Sequence, residues 1–331
     1  MQAISSLNDP GPLFVVGMPR SGTKLARNLL NQHSRISIPR IETEFLPALA
    51  RNLHKYGDVS NRAGFDRLYA HLIKANYFDF KRLEGEVLSA DKWFLSCRSF
   101  DAAGIFEAFI RAEVGAPPGS GIFWGDKSPS YIDDIPLIIE LYPNARILHI
   151  VRDVRDYCLS INHAWKKNML RAAERWSDSV MLARRDGAKI GAQFLEVRYE
   201  DLIANAEPQL RRICEFVDID FEPAMLTLSM PSENIGSTRG ETRIVGGNSG
   251  KFSHQMSRKL LSRIEALAGD ALESYGYVLV GKRQVPRRLS SVERFIAQCM
   301  DGYNLVRSDR ENLGLLRGSI FYIRYFLTTR E

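Results

Sequence analysis

A short apolar run that stops at a glycine and leads into a helix constrains the fold of this chain more than any other stretch. Residues 13–31 read LFVVGMPRSGTKLARNLLN. The apolar residues 13–16 predict a buried strand, and the leucines after Gly22 have the spacing of a helix. The first N–H groups of such a helix have no intrahelical partner and face the preceding loop. The helix dipole adds about half a positive charge there, and Arg20 adds a full one. This strand–turn–helix unit therefore predicts an anion-binding loop suited to phosphate or sulfate.

The loop is close to the Walker A pattern GxxxxGK[ST] of proteins that bind nucleoside triphosphates, but it differs at the lysine. Gly17 and Gly22 have the Walker spacing, whereas Thr23 occupies the lysine position and Lys24 comes one residue later. The main cation of the loop is instead Arg20. The loop is therefore suited to a phosphate group, but less to the γ-phosphate of ATP. The alternative is an ordinary glycine-containing turn between a strand and a helix.

Short apolar runs that alternate with helical patterns predict an α/β fold. The strand candidates that follow the first one are residues 122–125, 145–151 and 194–197, and residues 34–39 form a short segment with β-branched residues. Such short, continuous apolar runs are typical of a parallel sheet covered by helices on both faces. We therefore expect a P-loop-like parallel sheet flanked by helices, with a helical insertion over about 45–114 and a helical C-terminal extension. Residues 232–256 predict a long glycine-rich loop, of the kind that often covers a binding site.

The net charge of +6 is concentrated near the C-terminus. Residues 281–331 hold 10 Lys and Arg against 5 Asp and Glu, so residues 1–280 are nearly neutral. We therefore expect a main domain over 1–280 and a basic helical extension over 281–331. The extension is either an amphipathic segment that contacts an anionic membrane weakly, or a helix packed against the body or a dimer partner. Nucleic acid is not an expected partner, because the basic surplus is small and no recognition motif accompanies it.

The composition is that of a soluble globular protein, with 45% hydrophobic and 25% charged residues. No apolar stretch reaches the roughly 20 residues of a membrane span, and the N-terminus lacks the basic and apolar regions of a signal peptide. The cysteines lack a CxxC pair and are expected to be buried thiols in a cytoplasmic protein: Cys97, Cys158, Cys214 and Cys299. Neither they nor the six histidines have the spacing of a metal site, so no metal is expected.

A second motif, VRDVRDYCLSI at residues 151–161, stands at the end of a strand candidate. Arg152 at the strand end and Ser160 in the following helix are both suited to bind a second phosphate. Together with the first loop, the motif resembles the pair of nucleotide-binding motifs of sulfotransferases that use 3′-phosphoadenosine 5′-phosphosulfate (PAPS). The resemblance covers roughly residues 12–276 and is closest to the tyrosylprotein-type branch, which includes bacterial members. It implies that the first loop binds the 5′-phosphosulfate and the second loop binds the 3′-phosphate.

The resemblance also implies catalytic residues. In that branch a glutamate in an E-T segment acts as the base, and it corresponds here to Glu42. Glu44 competes for the same role, because one register shift in the loop exchanges the two. The lysine of an N/D-K-x-P segment corresponds to Lys127 in DKSP. The implied catalytic set is therefore Glu42, Arg20 and Lys127.

Further nucleotide contacts follow from the same resemblance. The tyrosine of an [RK]YE segment, which lies against the nucleotide, corresponds to Tyr199. A late covering loop supplies a serine and a lysine, for which Ser237 and Lys251 are the best matches and Arg239 or Arg243 are alternatives. The implied nucleotide-binding set is Arg20, Ser21, Gly22, Thr23, Lys24, Arg152, Ser160, Tyr199, Ser237 and Lys251.

These residue types suit sulfuryl transfer by in-line displacement, in which catalysis consists mostly of positioning and charge stabilisation. Arg20 and Lys127 are placed to stabilise the charge that develops on the leaving phosphate without a metal, and Glu42 takes the proton of an acceptor hydroxyl. The sequence therefore predicts a PAPS-dependent sulfotransferase whose acceptor class it does not define. The alternatives are a P-loop kinase or other nucleotide phosphotransferase, and a nucleotide-binding protein without turnover.

Overall fold

A computed structural model describes residues 10–231, 239–282 and 285–313, with side chains up to residue 304. The described chain divides into two compact units. The first unit comprises residues 10–151, 182–231 and 240–245, and the second comprises 152–181, 239 and the described residues from 246 onward. The helices are α1 (Thr23–Leu30), α2 (Leu46–Asn52), α3 (Arg62–Leu72), α4 (Asn76–Glu84), α5 (Ala90–Ser96), α6 (Ala102–Val114), α7 (Ile135–Leu141), α8 (Val154–Trp165), α9 (Met169–Ile190), α10 (Tyr199–Ala204), α11 (Ala206–Phe216), α12 (Phe252–Gln255), α13 (Arg258–Ser274) and α14 (Ser291–Leu313).

The first unit is built on a five-stranded parallel sheet with the strand order β2-β3-β1-β4-β5. Its strands are β1 (Leu13–Gly17), β2 (Ile36–Ser37), β3 (Phe123–Asp126), β4 (Arg146–Val151) and β5 (Phe194–Arg198). The apolar runs predicted β1, β3, β4 and β5, whereas the two-residue β2 lies in the β-branched segment that was not predicted as a strand. The α/β class with a parallel sheet is confirmed. The carboxyl ends of adjacent parallel strands lie at one edge of a sheet, where ligands usually bind in such folds.

Both faces of the sheet are covered, as its continuous apolar strands require. Successive side chains of a strand point to opposite faces. Leu13 and Val15 accordingly belong to the core that also contains residues of α1, α10 and α11. Phe14 lies between them in sequence and packs on aromatic residues of the other face, with ring centroids 6.5 Å from Phe106 and 5.8 Å from Tyr142.

The predicted insertion is helical and contains α2 to α6. Its interior is an aromatic cluster, in which the Phe109 ring centroid lies 4.7 Å from Trp93, 5.3 Å from Phe45 and 5.5 Å from Phe78. All four side chains are buried. Offset and edge-on aromatic packing of this kind stabilises beyond area burial alone. The cluster continues to the sheet through Phe106, whose ring centroid lies 5.4 Å from Phe45 and 6.5 Å from Phe14.

The second unit contains α8, the first half of α9 and α12 to α14. Arg155 on α8 is buried and forms ion pairs with Asp153 at 2.6 Å and with Glu265 at 2.7 Å. Its guanidinium also lies 4.0 Å from the ring centroid of Phe252. These contacts tie α8 to α12 and α13, so Arg155 has a structural role.

Some local predictions differ from the structure. The sequence pattern of residues 131–141 predicts a single helix after β3, but the structure has a 3₁₀ turn at Pro129–Asp133 followed by α7. The predicted long loop contains the short helix α12, and its residues 232–238 lie outside the described chain, as do residues 314–331 of the C-terminal extension. Cys158 and Cys214 are buried as expected, but Cys97 is only partly buried and Cys299 is exposed, because it lies on the solvent side of α14.

Candidate functional site

The loop between β1 and α1 requires glycine at both of its ends. Gly17 and Gly22 have φ angles of 154° and 94°, which residues with a Cβ rarely adopt. A Cβ on Gly17 would lie 2.5 Å from the carbonyl oxygen of Ile150, and one on Gly22 would lie 2.2 Å from Cδ2 of Tyr199. Tyr199, the first residue of α10, thus packs directly on the loop, and it is almost fully buried. The structure therefore brings two predicted nucleotide-binding residues, Gly22 and Tyr199, into contact.

The residues inside the loop have the features of an anion site. Arg20 has a φ of 71°, and such strained non-glycine backbone tends to occur at functional positions. Gly22 is the N-cap of α1, so the N-terminus of this helix has no side-chain cap. Its first turn also contains no acidic residue that would repel an anion. Ser21 is fully buried and its Oγ has no hydrogen-bond partner among the described residues. Buried polar atoms are normally paired, so this hydroxyl fits a ligand in the loop. Thr23 is buried beside it and Lys24 is partly buried.

The predicted base and the predicted catalytic lysine are in direct contact. The Nζ of Lys127 donates a hydrogen bond to Oε1 of Glu42. Lys127 follows β3 and its side chain is 2% exposed, whereas the side chain of Glu42 is 41% exposed. Burial lowers the pKa of Lys127, and the negative charge of Glu42 opposes that shift. A buried ammonium thus holds a carboxylate that remains open to solvent at the carboxyl edge of the sheet.

Hydrogen bonds fasten the Glu42 segment to the segment that follows Lys127. The Tyr131 hydroxyl lies 2.9 Å from Oγ1 of Thr43 and accepts a hydrogen bond from the backbone N–H of Leu46 at 3.0 Å. The backbone N–H of Glu44 donates to Oγ of Ser128 at 3.1 Å. These bonds connect residues more than 80 positions apart, and they set the register of Glu42 against Lys127.

The two competing carboxylates differ in surroundings. Glu44 has a φ of 55° and an exposed side chain, whereas the Glu42 carboxylate accepts a hydrogen bond from Lys127. Crowding by protein atoms raises the pKa of Glu44 to about 7, and the charges of Glu42 and Asp126 act in the same direction. Because the Glu44 side chain is exposed, solvent screens its interactions with these charges. The ion pair with Lys127 therefore favours Glu42 as the base.

Two buried charged residues at this site escaped the sequence analysis. Asp126, the last residue of β3, is fully buried, and burial raises its pKa to about 6 despite the nearby hydroxyl of Ser128. Arg27 on α1 is 1% exposed and donates to the carbonyl oxygen of Pro39 at 2.8 Å, three residues before Glu42. Burial lowers the pKa of Arg27 to about 10. Their positions could have indicated a role, because Asp126 ends the apolar strand β3 and Arg27 lies in the largely buried helix α1.

In the second unit, Arg152 and Lys251 are brought together by Asn248. Arg152 donates to the Asn248 carbonyl oxygen at 3.2 Å, and Nζ of Lys251 donates to the Asn248 side-chain oxygen at 2.5 Å. Burial lowers the pKa of Lys251, and the positive charge of Arg152 lowers it further. Two cations 99 positions apart in sequence thus share one amide residue, an arrangement in which a bound anion would relieve their repulsion.

The loop that carries Lys251 is anchored by Asp156 on α8. The carboxylate of Asp156 accepts hydrogen bonds from the backbone N–H groups of Gly250 and, at 3.0 Å, Phe252. Ser160 is partly buried on the same helix. Of the alternatives for Lys251, Arg239 is exposed, and Arg243 is exposed and paired with Glu241 at 3.3 Å. These observations favour Lys251; Ser237 lies outside the described residues.

Within the residues that the structure describes, no group of three or more His, Cys, Asp or Glu side chains is arranged to bind a metal ion. None of the described helices combines the length and apolar character needed to cross a membrane.

Comparison with known proteins gives a consistent result. A sequence model described as "Sulfotransferase family" matches residues 12–223, more than half of the chain. A protein-tyrosine sulfotransferase of Drosophila melanogaster is 25% identical over 238 residues, covering 68% of this chain and 42% of the relative. Protein-tyrosine sulfotransferase A of Caenorhabditis elegans is 27% identical over 222 residues, covering 65% and 51%. The chain thus spans about half the length, or less, of these curated relatives.

A solved structure supports the fold. The sulfotransferase domain from the curacin biosynthetic pathway superimposes with a TM-score of 0.54 at 18% identity, covering 82% of this chain and 99% of that domain. At such low sequence identity, the match shows only that the fold is shared. The match nevertheless agrees with the α/β architecture that the strands and helices define.

Proposed function

The chain belongs to the sulfotransferase family, and from that premise we propose that it transfers the sulfuryl group of PAPS to an acceptor hydroxyl. The observation that carries the proposal is the hydrogen-bonded pair of Lys127 and Glu42, because it combines a proton acceptor with a fixed cation at the carboxyl edge of the sheet. PAPS supplies an activated sulfuryl group on its 5′-phosphate. The rest of the chemistry belongs to residues of this chain.

The anion-binding loop is suited to the 5′-phosphosulfate. Arg20 supplies a cation, the first N–H groups of α1 supply donors, and the unpartnered Oγ of Ser21 supplies another. Thr23 and Lys24 complete this group, and Tyr199 packs against the same loop. Arg152, Ser160 and Lys251 are suited to the 3′-phosphate, and the shared contact of two of them with Asn248 supports that assignment. Ser237 remains a predicted contact of the late loop.

The proposed reaction is an in-line displacement at sulfur. Glu42 accepts the proton of the acceptor hydroxyl, whose oxygen forms the new bond to sulfur. The bond between sulfur and the bridging oxygen of the 5′-phosphate breaks, and adenosine 3′,5′-bisphosphate leaves with both electrons of that bond. Arg20 and Lys127 stabilise the charge on the leaving phosphate by fixed hydrogen bonds. No metal takes part in the proposed scheme.

Nucleotide binding tests the cofactor. Calorimetric titration with adenosine 3′,5′-bisphosphate, ADP and ATP should give the tightest binding for the 3′,5′-bisphosphate, because Thr23 stands where a Walker lysine would contact a γ-phosphate. Tight binding of ATP alone would overturn the proposal and favour a kinase or other phosphotransferase. Binding of the 3′,5′-bisphosphate without PAPS turnover on any acceptor would indicate a binding protein.

Turnover with a panel of acceptors tests the acceptor class. Since several relatives are protein-tyrosine sulfotransferases, tyrosine-containing peptides are the first acceptors to try, followed by sugars, lipid alcohols and aryl alcohols. The readout is transfer of labelled sulfate from PAPS. Specificity would reside in the insertion that contains α2 to α6 and in the loop before α12.

We also propose that the protein works in the cytoplasm. All four cysteines are free thiols, which suits a reducing compartment. Cell fractionation with an antibody against the chain tests this location, and recovery in an oxidising compartment would contradict it.

A further inference from the structure

One side of helix α14 packs on α9 and on the segment between α8 and α9. Ala297 and Asp301 are buried, and the Asp301 carboxylate accepts from the backbone N–H of Asn168 at 2.6 Å and pairs with Arg171 at 2.7 Å. One turn later, Nδ2 of Asn304 donates to the carbonyl oxygen of Lys166 at 2.9 Å. The spacing of 297, 301 and 304 is that of a single helix face, and this face fixes how α14 lies on its unit.

The opposite side of α14 is apolar and exposed. The exposed fractions are 68% for Val292, 67% for Phe295, 53% for Ile296, 53% for Met300 and 68% for Tyr303, and Cys299 is exposed among them. We call these six residues the α14 stripe. A helix on a soluble domain normally buries its apolar side and exposes its polar side. The described part of α14 instead buries polar side chains and exposes apolar ones. Exposed apolar patches of this kind mark interaction sites.

We propose that the α14 stripe pairs with the α14 stripe of a second copy of this chain, so that the protein is a dimer joined by a two-helix contact. Val292, Ile296, Cys299 and Tyr303 follow one another at intervals of four, three and four residues. This alternation is the repeat by which two helices pack side by side. A closed two-fold contact between identical surfaces is the commonest arrangement of soluble oligomers.

The exposed area fits a dimer. Fully exposed aromatic side chains have areas of about 150–250 Å², and the aliphatic side chains are smaller, so the stripe leaves on the order of 500 Å² uncovered per chain. Complete covering of both stripes would remove on the order of 1,000 Å² from water, which is about the lower limit for a specific interface.

The charge of α14 argues against a membrane as the occupant. Ser291–Leu313 contains four acidic and three basic residues. A helix that lies on an anionic membrane is rich in Lys and Arg on its polar face, whereas α14 is nearly neutral and uses an aspartate there for attachment. The proposal therefore commits to a protein helix, and specifically to the same helix of a second copy.

Light scattering coupled to size-exclusion chromatography tests the proposal on the full chain. We expect a mass of twice the 37.5 kDa of the chain. The double variant Phe295→Glu/Ile296→Glu, which places charges in the stripe, should raise the dimer dissociation constant at least about 30-fold. Leu95→Glu is the matched control, because Leu95 is 82% exposed on α5 outside the stripe, and it should leave the dimer intact. Circular dichroism checks that both variants are folded.

Chemical cross-linking locates the contact. In a Cys97→Ser background, oxidation by copper phenanthroline should link two chains through a disulfide between their Cys299 thiols, and Cys299→Ser should abolish the product. A monomeric wild-type chain over a range of protein concentrations would overturn the proposal, as would a dimer that the stripe variant leaves unchanged. Binding of the monomer to vesicles of phosphatidylcholine and phosphatidylserine, lost in the stripe variant, would overturn it in favour of a membrane. None of these readouts depends on sulfotransferase activity.

Discussion

At the scale of single residues, the contact between Lys127 and Glu42 separates two carboxylates that the sequence left interchangeable. Glu42 pairs with the lysine, whereas Glu44 is fixed through its backbone N–H to Ser128. The distinction depends on Tyr131 and Thr43, which hold the segment in one register. The hydrogen bond between Thr43 and Tyr131 could not be predicted from the sequence, because the two residues are 88 positions apart.

Replacing the proposed base tests this assignment. Glu42→Gln should lower kcat by about 10²- to 10⁴-fold, because the amide cannot accept the acceptor proton. The dissociation constant for adenosine 3′,5′-bisphosphate should change little, since the side chain is assigned to the acceptor. Glu44→Gln is the matched control and should retain most of the activity. The reverse pattern would move the base to Glu44.

The loop arginine offers a second kinetic test. Arg20→Ala should abolish measurable transfer, because it removes the main cation of the loop at the point where charge develops. Radiolabelled PAPS and isothermal calorimetry measure transfer and nucleotide affinity separately. Near-normal turnover of this variant would show that the loop does not bind the phosphosulfate.

Asp126 makes stability depend on pH. Its pKa of about 6 lies above the ordinary value of 3.8, so the folded protein binds this proton more readily than the unfolded chain. Stability should therefore fall as pH rises from about 4 to about 6, by at most about 3 kcal/mol, and stay low above that range. Asp126→Asn should be more stable than wild type at pH 7.5 in urea unfolding, with a flatter pH profile. Asp66→Asn makes the same substitution at a half-exposed position and should not reproduce this gain in stability.

At the scale of elements, strands and loops were predictable to different degrees. The strands were found because both faces of a parallel sheet are covered, which makes each strand a continuous apolar run. Helix α10 was missed because Tyr199 begins it directly after β5, without a turn residue as a signal. The candidate site was predictable where its residues lie in contiguous motifs. Arg27, Asp126 and Asn248 were not, because only contacts between distant segments give them a role.

Gly22 carries the main element-level prediction. Gly22→Ala should weaken binding of adenosine 3′,5′-bisphosphate and destabilise the protein by about 1–3 kcal/mol, because its Cβ would overlap the Tyr199 ring at a φ of 94°. Gly115→Ala is the control: that residue also has a positive φ, 65°, but nothing lies within 4 Å of the added Cβ. Equal losses in the two variants would show that backbone strain alone, and not the contact with Tyr199, is responsible.

At the scale of the whole molecule, the rate at which each cysteine reacts with a thiol reagent shows which surfaces are buried. Burial raises the pKa of Cys158 well above its ordinary value and that of Cys214 to about 11, so both should react with a thiol reagent only on unfolding. Cys299 should react fastest in dilute protein and more slowly as concentration rises, because pairing of the α14 stripe covers it. A Cys299 rate independent of protein concentration would contradict that pairing.

The hydrogen bond between Lys127 and Glu42 has a consequence for the proposed reaction when no acceptor is bound. Lys127 holds one carboxylate oxygen of Glu42, and the Glu42 side chain is 41% exposed, so a water molecule could take the place of the acceptor hydroxyl. The protein should then release adenosine 3′,5′-bisphosphate slowly from PAPS alone, and Glu42→Gln should suppress this release together with transfer. The residues that bind the acceptor would therefore also protect the sulfate donor, because they exclude water from the base.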